Sequence, residues 1–312
     1  MKTLELHLPW KERLAEIGHQ IGNTPLVQMR RVYHRPGVEI WAKLEWQQLG
    51  GSVMARPAFN MIKVAVEQGL LHPGKTLIDA TSGNTGIAYA AIGAALGLPV
   101  RLFVPGNINL DRRKMLNALG AELVYSEPLE GTDGAQRMAR ELIASDPEGY
   151  FYADQYSNDA NWQAHESGTA QEIWRQTGGK ITHFAAGLGT TGSFMGTTRG
   201  LRAIDSSIQC IELQPDIAMH ALEGWKFLET ALAIPKIYDV GLADGRIVVS
   251  TEQAHALIPE VARKEGLLLS PSAAANLAGA IALADTLERG IIVTLFPDSS
   301  EKYTEVYDEI FA

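Results

Sequence analysis

Thr76-Leu-Ile-Asp-Ala-Thr-Ser-Gly-Asn-Thr-Gly86 runs from an apolar pentapeptide through a cluster of hydroxyls, an amide and two glycines. A helix-length pattern, Ile87 to Leu96, follows and is closed by Gly97 and Pro99. The order is strand, polar turn, helix. It repeats down the chain: Val100–Pro105 reads as a strand, Asp111–Leu119 as a helix, Ala121–Tyr125 as a strand and Asp133–Ser145 as a helix. The alternation restarts at His183-Phe-Ala-Ala186, which leads through a glycine-rich turn into another helix. Ile208–Leu213, Arg246–Ser250 and Gly290–Phe296 are further strands, and Ser250 with Gln253 predicts a capping box for a helix ending near Gly266. Such alternation predicts an α/β protein with twisted, mostly parallel sheets and covering helices. With no repeat and no low-complexity linker, two lobes packed together are expected. A ligand would then sit between them, at the C-terminal ends of the strands.

The bulk properties narrow the partners. A chain of 312 residues is long enough for about two domains. Its formal charge of −9, without a Lys/Arg cluster, argues against nucleic acid or a membrane surface as partner. Cys210 is the only cysteine, so an intrachain disulfide and a cysteine-based zinc site are excluded. Set in the run Ile208-Gln-Cys-Ile-Glu-Leu213, it reads as buried and inert. No metal site is expected. The N-terminal residues do not read as a secretion signal, and no run approaches 18 apolar residues, so a cytoplasmic protein is expected.

Two loops are placed to hold anions. Gly187-Leu-Gly-Thr-Thr-Gly192 satisfies G-x-G-x-x-G between a strand and a helix, where glycines admit a phosphate to backbone N–H groups. Glu212 stands 20 residues beyond Gly192, so dinucleotide binding, a single phosphate ester and a purely structural turn all remain open on spacing alone. Thr81-Ser-Gly-Asn-Thr-Gly86 offers hydroxyls and a helix start suited to a carboxylate, beyond what a plain cap needs. Ser272, in Leu269-Ser-Pro-Ser-Ala273, reads by itself as a helix N-cap, and His165 as a structural hydrogen-bonding residue.

Together with Ile21-Gly-Asn-Thr-Pro-Leu26, Leu49-Gly-Gly-Ser-Val-Met-Ala-Arg-Pro-Ala58, Gln155 to His165 and Asp298-Ser-Ser-Glu-Lys-Tyr303, these loops resemble the cysteine synthase (O-acetylserine sulfhydrylase) and cystathionine β-synthase family of pyridoxal-phosphate enzymes. The resemblance implies the two-lobed fold of the tryptophan synthase β-subunit type. Residues 1–47 plus 156–312 would form the larger, phosphate-binding domain and residues 48–155 the smaller, substrate-carboxylate domain. It implies pyridoxal 5′-phosphate, with its phosphate in Gly189, Thr190, Thr191, Gly192 and Ser193, its 3′ oxygen at Asn84 and its ring nitrogen at Ser272. A hydroxyl at that nitrogen leaves the ring largely neutral, which suits β-elimination over transamination. Thr81, Ser82, Gly83, Thr85 and Gln155 would hold an amino-acid carboxylate, and a homodimer is implied.

The same resemblance places the lysine that carries the cofactor at position 54, where this chain has Met54. A thioether can neither form an imine nor accept the Cα proton. Gln48-Leu49 and Ala55 also depart from the family's usual neighbours. A natural lineage without the lysine and a substitution of one residue therefore both remain open. Lys43, in a strand, and Lys63, nine residues along the helix, are not at the family position. The expected function is that of a cysteine synthase-like protein. The family reaction, β-replacement on O-acetylserine or another activated serine by sulfide, should be abolished or strongly impaired. Pyridoxal phosphate could still bind non-covalently, or as an imine with a bound amino acid. A non-catalytic homologue that binds an amino acid, a cofactor or a protein is the alternative, and an NAD-dependent oxidoreductase a remote one.

Overall fold

A computed structural model describes residues 9–81, 83–127, 130–230 and 234–312. Two mostly parallel sheets form, as the strand–helix alternation predicts, and each grows from the pattern read above. The smaller has four parallel strands: β3 (Thr76–Ala80), β4 (Val100–Pro105), β5 (Glu122–Ser126) and β6 (Tyr150–Tyr152), in the order β5-β4-β3-β6. The larger has six strands in the order β1-β2-β10-β7-β8-β9. These are β1 (Leu26–Gln28), β2 (Val38–Leu44), β7 (His183–Gly187), β8 (Gln209–Pro215), β9 (Gly245–Val249) and β10 (Gly290–Phe296). Only β1 runs antiparallel, at the edge against β2.

The apolar strand centres are buried because helices cover them. On the smaller sheet this is done by α3 (Asn84–Leu96), whose residues are buried on nearly every side, and by α5 (Gly131–Ser145) on the other face. On the larger sheet α10 (Pro271–Ala284) fills one face with alanines, and α8 (Gly192–Ile204) lies on the other. The expected capping box forms at the start of α9 (Thr251–Glu265), where Ser250 and Gln253 exchange bonds, and Gly266 closes the helix in the left-handed conformation.

Three other helical elements matter for the site. The first, α1 (Trp10–Gly18), buries Leu14 and Ile17 in the smaller sheet's core, although the sequence division counts it with the larger domain. The second, α2 (Ala55–Glu67), packs against α3 and against the helix at Asp159–Ala164. The third is the pair α6 (Asp159–Ala164) and α7 (Ala170–Gln176), joined by one π turn at His165–Thr169. Among the described residues, no helix is long and apolar enough to cross a membrane. Cys210 is buried on β8, and burial pushes its thiol up to about 11.

Candidate active site

The C-terminal ends of β3, β7 and β10 open on one cleft of about 270 Å³, the position where open α/β sheets bind ligands. Met54, Thr81, Gly83, Asn84, Thr85, Gln155, Gly189, Thr190, Thr191, Ser193 and Ser272 all line it. Residues more than 200 positions apart in sequence thus meet in one place. Gly192 stands just behind the wall, where a Cβ would strike the Asn161 carboxamide, so it is glycine for packing. Ser82 lies outside the described residues.

The smaller lobe supplies the amide and hydroxyl side. Thr85 Oγ1 donates to Gln155 Oε1 at 2.7 Å, and Gln155 Nε2 donates to the Ala80 carbonyl at 3.0 Å. The pair is therefore oriented by the end of β3. Asn84 Nδ2 donates to Asp298 Oδ2 at 2.9 Å, and Tyr303 OH donates to the same oxygen at 2.8 Å. This leaves Asn84 Oδ1 buried without a partner.

The larger lobe supplies the glycine turn. Its helix, α8, starts at Thr191, in the left-handed region at φ 70°, and no side chain caps the first N–H groups. The Thr191 hydroxyl is buried and unpartnered. His165, wholly buried, supports this turn from behind: Nε2 lies 3.2 Å from Ser193 Oγ and Nδ1 lies 2.9 Å from Thr169 Oγ1. Burial lowers the His165 pKa to about 3, so the ring is neutral. The structural role read for His165 is what its contacts describe. Asn161 Nδ2 joins the lobes by donating to the Gln155 carbonyl at 2.7 Å and to Thr190 Oγ1 at 3.3 Å.

Ser272 corrects an expectation. The N-cap of α10 is Ser270, whose hydroxyl accepts from the Ala273 N–H at 3.2 Å, with Pro271 at the first helical position. Ser272 lies within the first turn, free to line the cleft while its hydroxyl bonds that of Ser270 at 3.2 Å. Glu212 is committed elsewhere: it binds Arg246 Nε at 2.6 Å and Tyr238 OH at 2.9 Å. It does not line the cleft, so the ribose-binding acid of a dinucleotide site has no counterpart there.

Met54 sits at the N-cap of α2 with no side-chain cap of its own. The loop before it is pinned to β10, since the Val53 N–H donates to the Pro297 carbonyl at 2.8 Å. Lys43 is no substitute. It is fully buried on β2, with its ammonium 2.7 Å from Glu172 Oε2, and also donates to Thr24 O and Gln176 Oε1. These partners belong to a buried network around Arg56, which binds Glu45 through Nε at 2.6 Å and Glu172 through Nη1 at 2.7 Å. Burial pushes Glu172 upward, but the hydrogen bonds and charge of Arg56 outweigh it and hold that carboxyl at about 2. Lys226 also lines the cleft and is not foreseen from the sequence, since Glu223-Gly-Trp-Lys226 matches no pattern that predicts a site.

The fold and this cleft agree with what the chain resembles. The model of the pyridoxal-phosphate dependent enzyme family matches residues 17–298, and the chain belongs to that family. Within it, the chain is a homologue of cysteine synthases. It is 47% identical over 302 residues to a cysteine synthase of Aquifex aeolicus, covering 95% of this chain and 92% of the relative. It is 36% identical over 298 residues to cysteine synthase B of Escherichia coli, covering 95% and 97%. The crystal structure of a cysteine synthase from Entamoeba histolytica superposes with a TM-score of 0.87 at 31% identity, covering 94% of this chain and 90% of that one. Pyridoxal 5′-phosphate is the cofactor of the family and of these homologues. The cleft fits it on two counts: the uncapped start of α8 with the orphaned Thr191 hydroxyl suits a phosphate, and the orphaned Asn84 carbonyl suits a ring hydroxyl.

Proposed function

We propose that this protein binds pyridoxal phosphate and an amino acid in the cleft, and that β-replacement of an activated serine by sulfide is abolished or strongly impaired. One observation carries the reading: a methionine thioether occupies the cleft wall at the start of α2, while Asn84, Gln155, Thr191 and Ser272 line the same cleft. When bound, the cofactor supplies an aldehyde that captures amines and a ring that accepts electrons. Gly189, Thr190, Thr191 and Ser193 receive its phosphate, with Gly192 fixing the turn behind them. Asn84 and Ser272 meet its ring. Thr81, Gly83, Thr85 and Gln155 hold the amino-acid carboxylate by hydrogen bonds and the start of α3. Ser82 shares that role in the family resemblance. Nothing at Met54 can take the Cα proton.

Met54→Lys tests this. Cysteine formation from O-acetylserine and sulfide should rise about 10²- to 10⁴-fold, the usual worth of a positioned general base. Cofactor uptake without activity in Met54→Lys would instead favour a non-catalytic homologue with a repurposed pocket, a reading that Ala55 and Gln48-Leu49 also support. The division at residues 48 and 155, a homodimer and a cytoplasmic location are part of the proposal. Light scattering of the purified chain checks the dimer.

A further inference from the structure

We propose that Lys226 gives the cleft its amine, condensing with the aldehyde of pyridoxal phosphate in place of the amine missing at Met54. The inference rests on the reading that the cleft takes this cofactor.

Among the described residues Lys226 is the one lysine on the cleft wall. Its neighbours in chemistry are occupied: Lys43 is bound by Glu172, and Lys302 donates to the Gly51 carbonyl at 2.8 Å beside Asp298. No carboxylate among the described residues lies within ion-pair distance of Lys226; its Nζ instead stands 4.3 Å from the centre of the Tyr156 ring. An ammonium held only by an aromatic face gives up fewer bonds on reaction than one held by carboxylates.

The backbone beneath it is fixed. The Lys226 N–H donates to the Leu188 carbonyl at 2.7 Å, in the middle of the glycine turn. A side chain at Gly187 would collide with the Trp225 ring, and one at Gly189 with the Gly224 carbonyl. The segment carrying Lys226 is therefore clamped onto the loop assigned to the phosphate, and both glycines serve that clamp. In pyridoxal phosphate the aldehyde stands on the ring between the hydroxyl and the phosphate-bearing arm. A phosphate seated at Thr190 to Ser193 brings that aldehyde into the cleft that Lys226 lines.

The step balances without a further reactant. Nitrogen adds to the aldehyde carbon, a C=N bond forms, and the carbonyl oxygen leaves as water. It requires the unprotonated amine, and burial lowers the Lys226 pKa against a smaller upward pull from Asp133.

The test uses the full-length protein with pyridoxal phosphate, borohydride reduction and peptide mass mapping, beside equilibrium dialysis. The expected result is phosphopyridoxyl on the peptide containing Lys226, absent from Lys226→Arg. Wild type should bind pyridoxal phosphate about tenfold tighter than an analogue lacking the aldehyde, some 1.4 kcal/mol, and Lys226→Arg should lose that difference. If dialysis shows tight binding but the label is missing from Lys226, the inference is overturned and cofactor binding stands. An unlabelled Lys226 in the wild type, with affinity lowered in Lys226→Gln and restored in Lys226→Arg, also overturns it, leaving Lys226 as a charge partner only. No binding of pyridoxal phosphate by the wild type removes both.

Discussion

The starts of α8 and α2 face the same cleft, and they are built in opposite ways. At α8 the backbone donors and the Thr191 hydroxyl are left without partners, while His165 and Asn161 hold the turn from behind. At α2 the residues next to the cleft are fully partnered: Val53 is tied to Pro297, and Arg56 is bound by two carboxylates. Unpaired groups at one end wait for a ligand, and a satisfied network at the other holds the wall. Under the proposed function, the change at Met54 leaves the α8 side intact, and binding and reaction are supplied by different helix ends.

The largest stability effect is expected from the α2 side. Arg56→Met leaves Glu45, which is fully buried, with no ionic partner closer than Lys43. Breaking a buried pair from one side costs about 3–5 kcal/mol, read as a lowered urea midpoint at unchanged m-value. Cofactor affinity of the folded fraction should change little, because the guanidinium does not line the cleft. A fall in affinity as large as the fall in stability would show that the two helix ends are not separate.

The α8 side should respond to acid through His165. Its ordinary pKa near 6.5 falls to about 3 on burial, so between those values only the unfolded chain takes the proton. The contribution is fully present above about pH 6.5 and is lost as the pH falls toward 3. Asp79, whose buried carboxyl is pushed up to about 7, slopes the other way, so a variant comparison isolates His165. The advantage of wild type over His165→Gln in urea unfolding should narrow between pH 7 and pH 5. An advantage that stays constant would mean the imidazole is not buried neutral.

How much of this was legible follows the same division. Strands such as Thr76–Ala80 and Gly290–Phe296 announce themselves because a parallel sheet covered on both faces needs continuous apolar runs. Thr81 to Gly86 and Gly187 to Ser193 were legible as strand-to-helix turns because such turns draw on a small set of residue types, and the structure brings both to the cleft. Strands of three residues, Leu26–Gln28 and Tyr150–Tyr152, are too short to show a period and owe their state to their neighbours. The buried network of Lys43, Glu45, Arg56 and Glu172 joins three separate segments, and no local pattern foretells it. Lys226 is hidden for the same reason, since its place depends on contacts with Leu188 and Tyr156.

A smaller effect, of opposite sign on stability and binding, is expected at Thr191→Val. The hydroxyl has no partner without ligand, so replacing it by a methyl of the same shape should leave stability unchanged or slightly raised. Both residues are β-branched, so the strain at φ 70° is the same. A hydrogen bond to a charged phosphate is worth about 1.5–3 kcal/mol, so pyridoxal phosphate should bind roughly 10- to 150-fold more weakly. Unaltered affinity in dialysis would remove the phosphate from this turn.

The finest distinction lies in two serines two positions apart, at a third helix start. Ser270 caps α10, and Ser270→Ala should cost about 1 kcal/mol of stability. Ser272 bonds only the Ser270 hydroxyl and lines the cleft, so Ser272→Ala should cost less stability while shifting the absorbance of bound cofactor. Both serines stand at the start of the same alanine-rich helix, and only the position relative to Pro271 separates cap from cleft lining. If Ser272→Ala destabilises the protein as much as Ser270→Ala and leaves the bound spectrum untouched, Ser272 belongs to the helix and not to the cleft.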